Sequence, residues 1–167
     1  MSSPRLQILA PLAGEALPLS DVPDPVFSQA MMGPGMAVDA AGAPGEETTA
    51  LAPVSGEVVK AHAHAVIILH RDEQGGETGV LVHLGINTVR LNGAGFTVLV
   101  AEGQQVEAGD PIVRWGPGDL PALAAQAGLA PEALSAVSPV IALEKPAETL
   151  SDLAAGTVEA GSPLFSL

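Results

Sequence analysis

The sequence predicts an all-β protein: an antiparallel β-sandwich or barrel with an internally duplicated motif and a few short helices. Three observations carry that prediction. Short apolar, β-branched runs recur every roughly 8–15 residues, each bounded by Gly, Pro, Asn or Asp, as short strands joined by turns are. The 19 glycines and 15 prolines among 167 residues are spread along the chain. They therefore read as turns rather than as a disordered tract. No repeated alternation of strand and helix patterns occurs, which weighs against a parallel sheet.

Taken in order, Leu6–Ala10 reads as a strand, and Pro11 and Gly14 punctuate before Glu15–Leu19. Asp24 followed by Pro25 is a helix start, since Asp caps and Pro fits the first helical position. Gly33-Pro34-Gly35 keeps that helix short. Met36–Asp39 is a strand and Ala40–Glu47 a loop or hairpin tip. Ala52-Pro53-Val54-Ser55-Gly56 is a turn feeding a strand through Val59. Ala65–His70 and Gly79–Leu84 read as antiparallel strands around a glycine-containing loop, Arg71–Glu77. Thr88–Leu91 alternates as a half-exposed strand does. Asn92–Gly95 is a turn, Phe96–Ala101 a strand, Glu102–Asp110 a turn-rich connection and Pro111–Trp115 a strand. Asp119–Gly128 is the best helix, with Asp119 as cap, Leu120, Leu123, Ala124 and Ala127 on one face, and Gly128 as stop. Pro131–Ala136 adds a turn, and Ser138–Leu143 is a strand. Thr157–Glu159 and Pro163–Leu167 close the chain.

Two echoes mark the duplication. Ala10-Pro11-Leu12-Ala13-Gly14-Glu15 resembles Ala52-Pro53-Val54-Ser55-Gly56-Glu57. Glu102–Pro111 resembles Ala154–Pro163. A strand–turn–strand unit occurring twice would let sheet edges pair with each other.

Composition narrows the function. The length suits one domain, 1–167, with its core from about residue 6. With 47% hydrophobic but only 2% aromatic residues, the core must be aliphatic. A net charge of −13 opposes binding to nucleic acid or to anionic lipid, both of which take a basic face. The absence of cysteine excludes disulfides, thiol chemistry and Cys-ligated zinc. Met1–Ala10 lacks the length of a secretory apolar region, and no run is long enough to span a bilayer, so no direct membrane insertion and a cytoplasmic location are expected.

The chemistry centres on Leu81–Val89. There His83 sits in an apolar run, with Leu81 on its own face and Val82 and Leu84 on the other. A neutral imidazole in such surroundings keeps a nucleophilic nitrogen near neutral pH, because desolvation lowers its pKa. His64 opens the run that precedes the hairpin. If the two runs are antiparallel neighbours, the two imidazoles meet across the strands, about 4.5–5.5 Å apart at Cβ. Such a pair suits one phosphate or one metal ion. His62, two residues before His64, points the same way if the strand is regular, and the three histidines also fit a zinc pattern. His70, beside Arg71 and Asp72, reads as solvated.

The run Val82-His83-Leu84-Gly85-Ile86-Asn87-Thr88-Val89-Arg90-Leu91-Asn92-Gly93-Ala94-Gly95-Phe96 resembles the V-H-F/L-G-I-D-T-V-x-L-x-G-x-G-F pattern of the glucose-type IIA component (the EIIA-Glc family) of the bacterial phosphoenolpyruvate:sugar phosphotransferase system. Val22-Pro23-Asp24-Pro25-Val26-Phe27, His62-Ala63-His64-Ala65, Glu102-Gly103-Gln104-Gln105-Val106 and both Ala-Pro-x-x-Gly turns match as well. The resemblance implies a barrel-sandwich hybrid with internal duplication. It implies a phosphotransferase component in which His83 takes a phosphoryl group, as a tele-phosphohistidine, from HPr. His83 would pass the group to the cysteine of a IIB domain of a membrane IIBC sugar permease. His64 would donate to the phosphate and stabilise it. Val26, Met31, Met32, Val66, Leu81 and Val89 would form the partner surface. No cofactor and no metal are implied. The chain departs from the pattern at Asn87, where Asp is usual, and at Val66, Leu81 and Leu84, where aromatics are usual.

Other classes fit less well. A lysostaphin-like zinc metallopeptidase pairs H-x-H with H-x-x-x-D, and no H-x-x-x-D exists here. A biotinyl or lipoyl carrier needs a lysine at a hairpin tip, and neither Lys60 nor Lys145 sits in one. A non-catalytic β-sandwich binding domain is the remaining alternative.

Overall fold

In the computed structural model, which describes residues 5–167, thirteen strands are joined by short turns and two α-helices. The strands are β1 (Gln7–Leu9), β2 (Gly14–Pro18), β3 (Gly35–Ala40), β4 (Thr48–Leu51), β5 (Gly56–Ala61), β6 (Ala65–Arg71) and β7 (Glu77–His83), followed by β8 (Phe96–Val98), β9 (Gln105–Val106), β10 (Pro111–Trp115), β11 (Val137–Ala142), β12 (Gly156–Val158) and β13 (Pro163–Ser166). The helices are α1 (Pro25–Ser28) and α2 (Leu120–Gln126). Met1–Pro4, part of the terminus read above as leaderless, lie outside the described residues.

Eight strands form one sheet in the order β12-β2-β3-β11-β7-β6-β5-β9, flanked by β4-β10-β8 and β1-β13. All strand pairs are antiparallel. The sheets stay open, so the sandwich form of the expectation is the one realised.

The duplicated motif is visible bond by bond. Gly14 and Glu15 pair with Val158 and Thr157 at one end of the large sheet. Gly56 and Glu57 pair with Val106 and Gln105 at the other. The Ala10 amide donates to Ser162 O at 2.7 Å and Gly161 N–H to Ala10 O at 2.8 Å. Ala52 makes the same two bonds with Asp110 and Gly109, both at 2.8 Å. The halves also clasp each other: Leu9 N–H donates to Pro53 O and Leu51 N–H to Pro11 O, each at 2.9 Å. Thus the two sequence echoes are the two halves of one pairing scheme, related by a pseudo-two-fold between β7 and β11.

Strand alternation gives the large sheet two apolar faces. Val38, Val58, Val66, Ile68, Val82 and Val140 face Ile8, Ile112, Val113, Trp115 and Phe165 of the smaller sheets, and together they make the main core. On the opposite face, Ala37, Ala65, Leu81 and Ile141 are covered by Leu19, Val22 and Phe27, from the segment that leads into and forms α1. That second face carries the site.

Some elements depart from expectation. Thr88–Leu91 is a 3-10 turn rather than a strand. Left-handed Asn87 and Asn92 bracket it, at φ 64° and 51°. The burial that reads as alternation is an i, i+3 pair, Thr88 and Leu91. The polar Glu102–Asp110 connection contains β9, a two-residue strand too short to show a pattern. Strand β4 carried no sequence signal, because Thr48-Thr49-Ala50-Leu51 buries only Ala50. Asp24 caps α1 as expected, accepting from Val26 N–H at 2.9 Å. Asp119 precedes α2 without capping it; its carboxylate instead accepts from Gly45 N–H at 2.8 Å and ties down the Ala41–Glu47 loop.

Candidate functional site

His83 ends β7 on the second face of the large sheet. Its direct cross-strand partner is Ala65, and Ala65 in turn exchanges backbone hydrogen bonds with His62 at 2.8 and 3.3 Å. His62, just beyond the end of β5, Ala65 and His83 therefore form one row on one face. His64 does not stand opposite His83 as the sequence reading had it. It sits with Ala63 at the tip of the three-residue connection between β5 and β6, outside both strands. In a regular strand, position 64 would point away from the row. The turn frees it from the alternation, and the small Ala65 leaves room for its ring. The imidazoles of His64 and His83 lie 5.3 Å apart between centroids, edge to face at 74°.

Two contacts fix His83. Its Nδ1 lies 2.6 Å from the carbonyl oxygen of Gly85. A carbonyl only accepts, so Nδ1 carries the hydrogen and Nε2 keeps its lone pair. Phe27 packs against the ring at 5.1 Å. Gly85 is held in turn: its N–H donates to the buried Ser138 hydroxyl at 3.0 Å, and that hydroxyl donates to Ala136 O at 3.0 Å. The position needs glycine. At φ +78°, an added Cβ would lie 2.7 Å from Ser135 O and from Thr88 Cγ2. Thr88 closes the other side, its hydroxyl donating to Leu84 O at 2.6 Å.

Electrostatics follow from this packing. Burial pushes the His83 pKa below the ordinary imidazole value, against the opposing pull of the Gly85 carbonyl and the more distant Asp24 carboxylate. His64 is also lowered, first by burial and then by the charges of His83 and His62. Both rings are thus neutral near neutral pH, which leaves a lone pair on His83 Nε2 and one N–H on the His64 ring. His62 is exposed and stacks on His64 at 6.0 Å and 20°. Among the described residues, no three His, Asp or Glu side chains are grouped to hold a metal ion; the three imidazoles do not converge on a common point.

The expected partner surface divides. Met31, Val89, Val26 and Met32 are exposed, by 69%, 55%, 41% and 36%. Val66 and Leu81 are corrections. At 1% and 4% exposure they lie within the protein, Val66 in the main core and Leu81 under α1. Leu84 is buried in the main core too. The aliphatic substitutions at these positions are therefore packing choices, not changes to an open face. Asn87 suits its left-handed backbone, and its amide donates to Ala133 O at 3.1 Å. Sequence reasoning assigned no role to Ser138 or to the Gly85 carbonyl. The one signal for Ser138 was a lone hydroxyl in the otherwise apolar run Val137–Ala142. A main-chain acceptor leaves no signal in side-chain chemistry.

Comparisons with known proteins bear on the family and the fold. The family described as phosphoenolpyruvate-dependent sugar phosphotransferase system, EIIA 1, matches residues 6–142. The glucose-specific EIIBCA component of Corynebacterium glutamicum is 43% identical over 114 residues, 67% of this chain and 16% of that protein. The glucose-specific EIIA component of Oceanobacillus iheyensis is 42% identical over 111 residues, 65% of this chain and 62% of that protein. The match thus spans less than two thirds of either relative's length. The solved glucose permease IIA from Mycoplasma capricolum superposes with a TM-score of 0.78 at 32% identity, covering 98% of this chain and 96% of that one.

Proposed function

Because the chain belongs to the EIIA 1 family of the phosphoenolpyruvate-dependent sugar phosphotransferase system, we propose that it is a phosphohistidine carrier. His83 accepts a phosphoryl group from phospho-HPr and passes it to the cysteine of a IIB domain serving a membrane sugar permease, on the cytoplasmic side. The observation that carries this reading is the 2.6 Å bond between His83 Nδ1 and Gly85 O. It commits the ring to the tautomer whose Nε2 is the nucleophile.

The step balances without a proton shuttle. The Nε2 lone pair forms a bond to phosphorus as the donor's P–N bond breaks. The electron pair of that bond leaves with the donor nitrogen. If the donor ring is protonated on its other nitrogen, it departs as neutral imidazole. His83 becomes a phosphoimidazolium, its positive Nδ1–H still held by Gly85 O. Onward transfer reverses the logic, with a thiolate attacking phosphorus and His83 leaving as neutral imidazole. Catalysis is then positioning and charge stabilisation around an in-line displacement. His64, edge-on to His83, donates its N–H to the phosphoryl oxygens. The exposed Met31, Met32, Val26 and Val89 give the face its apolar, adaptable rim.

The test is a mass measurement after incubation with phosphoenolpyruvate, the first enzyme of the pathway and HPr. Wild type gains one phosphoryl group, His83→Ala gains none, and His64→Gln gains one but does not release it to a IIB domain. An unmodified wild type, or equal labelling of His83→Ala, would sink the proposal.

A further inference from the structure

The third imidazole has no part in the chemistry above, yet its place is fixed by the fold. The reciprocal backbone bonds between His62 and Ala65 put the His62 side chain in the row that ends on His83. Its ring lies nearly parallel to that of His64, 6.0 Å between centroids, while His83 meets His64 edge to face at 5.3 Å. His64 thus touches two imidazoles, the half-buried His83 that would carry the phosphate and the exposed His62.

Building on the carrier reading, we propose that His62 is a positioning residue for phosphoryl release, acting through His64. It keeps the His64 ring turned edge-on to His83 and weakens that ring's hold on the phosphate, so the group can be handed on. The physical problem is one of balance. A neutral His64 gives the phosphate one hydrogen bond. A cationic His64 would add a full charge beside a dianion, a charge-assisted bond roughly twice as strong as a neutral one. That would stabilise the loaded state and slow the next transfer. A second imidazole stacked on His64 opposes that charge by like-charge repulsion.

Few other groups act there. His64 responds to His83 and His62, and Asp24, ahead of α1, acts on His83. Lys60 lies on the same face of β5, opposite Ile67, and is exposed. The Asn92–Gly95 turn, which packs Gly93 near Ala63, carries no charge; Arg90 before it is exposed.

The test compares wild type with His62→Gln and His62→Lys. The His64 ring C–H resonance is followed by NMR against pH in the unphosphorylated protein. In His62→Gln, His64 should titrate at higher pH than in wild type. The phosphorylated protein should then pass its group to a IIB domain about threefold more slowly near pH 6.5, with the difference closing by about pH 8.5, where His64 is neutral in both. His62→Lys keeps a positive charge at that position and should restore the wild-type rate, which a purely structural role would not allow. Acceptance should stay at one group per chain throughout. An unchanged His64 titration in His62→Gln overturns the proposal. So does equal slowing in His62→Gln and His62→Lys. A wild type that accepts no phosphoryl group overturns the carrier function and this role with it; a shifted His64 titration in that case would locate the failure in the carrier reading rather than in the imidazole pair.

Discussion

Replacing Ser138 by alanine tests whether the main chain under His83 is held by one hidden hydroxyl. Ser138 is fully buried, and its Oγ accepts from Gly85 N–H and donates to Ala136 O, both at 3.0 Å. Removing it has unequal effects on the two partners. The Ala136 carbonyl still accepts from Ala40 N–H at 3.2 Å, so it stays satisfied. The Gly85 amide loses its acceptor in a buried setting, which costs about 1–3 kcal/mol. The missing oxygen leaves little cavity, so the expected loss is about 2 kcal/mol, or roughly 4–8 °C in Tm for a domain of this size. The single tryptophan, Trp115, is fully buried, so its fluorescence in a urea titration reads the loss directly. The same change loosens the carbonyl that commits His83 to one tautomer. The His83 nitrogen shifts should then show a mixture of ring forms, and phosphoryl acceptance should fall about tenfold under conditions where the variant is still folded. A stability change below about 0.5 kcal/mol together with an unchanged tautomer would refute the claim that Ser138 supports the nucleophile.

Other expectations follow from the same contacts. Phe27→Ala removes a buried ring 5.1 Å from His83; it should destabilise by about 3 kcal/mol and raise the His83 pKa, seen by NMR titration, because water reaches the imidazole. Stability should fall on acidification below about pH 6.5: burial lowers both His64 and His83 in the folded state, so there the unfolded chain binds more protons. The slope should level off once the folded-state pKa values are passed, and His83→Gln should flatten it. Gly56→Ala would place a Cβ 2.3 Å from Leu69 O, against main chain that cannot yield; a loss of order 3 kcal/mol is expected, measured by the same fluorescence titration. Met31→Asp and Val89→Asp, on exposed side chains, should leave Tm within about 2 °C while raising the KM for the phosphoryl donor.

Strand positions were legible where burial alternates or runs unbroken, as in β6, β7, β10 and β11, because periodicity and turn residues there agree. They were illegible where pairing is set by distant contacts alone. β4 and β9 exist because β10 and β5 lie beside them, and neither has enough apolar residues to announce itself. The 3-10 turn at Thr88–Leu91 deceived for a related reason. Four residues are too few to separate a period of two from a spacing of three, and only the left-handed asparagines at its ends decide.

The site was legible as residue types but not as geometry, and the duplication explains why. The two halves pair their strands in the same way, yet the connection between β2 and β3 and that between β5 and β6 have diverged. In one half it is a three-residue turn that throws His64 onto the sheet face. In the other it is the long segment Leu19–Pro34, which crosses that face and sets Phe27 on the His83 ring. A symmetric pair of turns would leave His83 on an open strand end with no desolvating cover. The setting of His83 is therefore a product of the difference between the repeats: one connection supplies the second imidazole, the other the apolar lid, and β7 of one half supplies His83 itself. Shortening Leu19–Pro34 to a tight turn should keep the pairing of the large sheet while the His83 pKa returns toward that of a solvated imidazole.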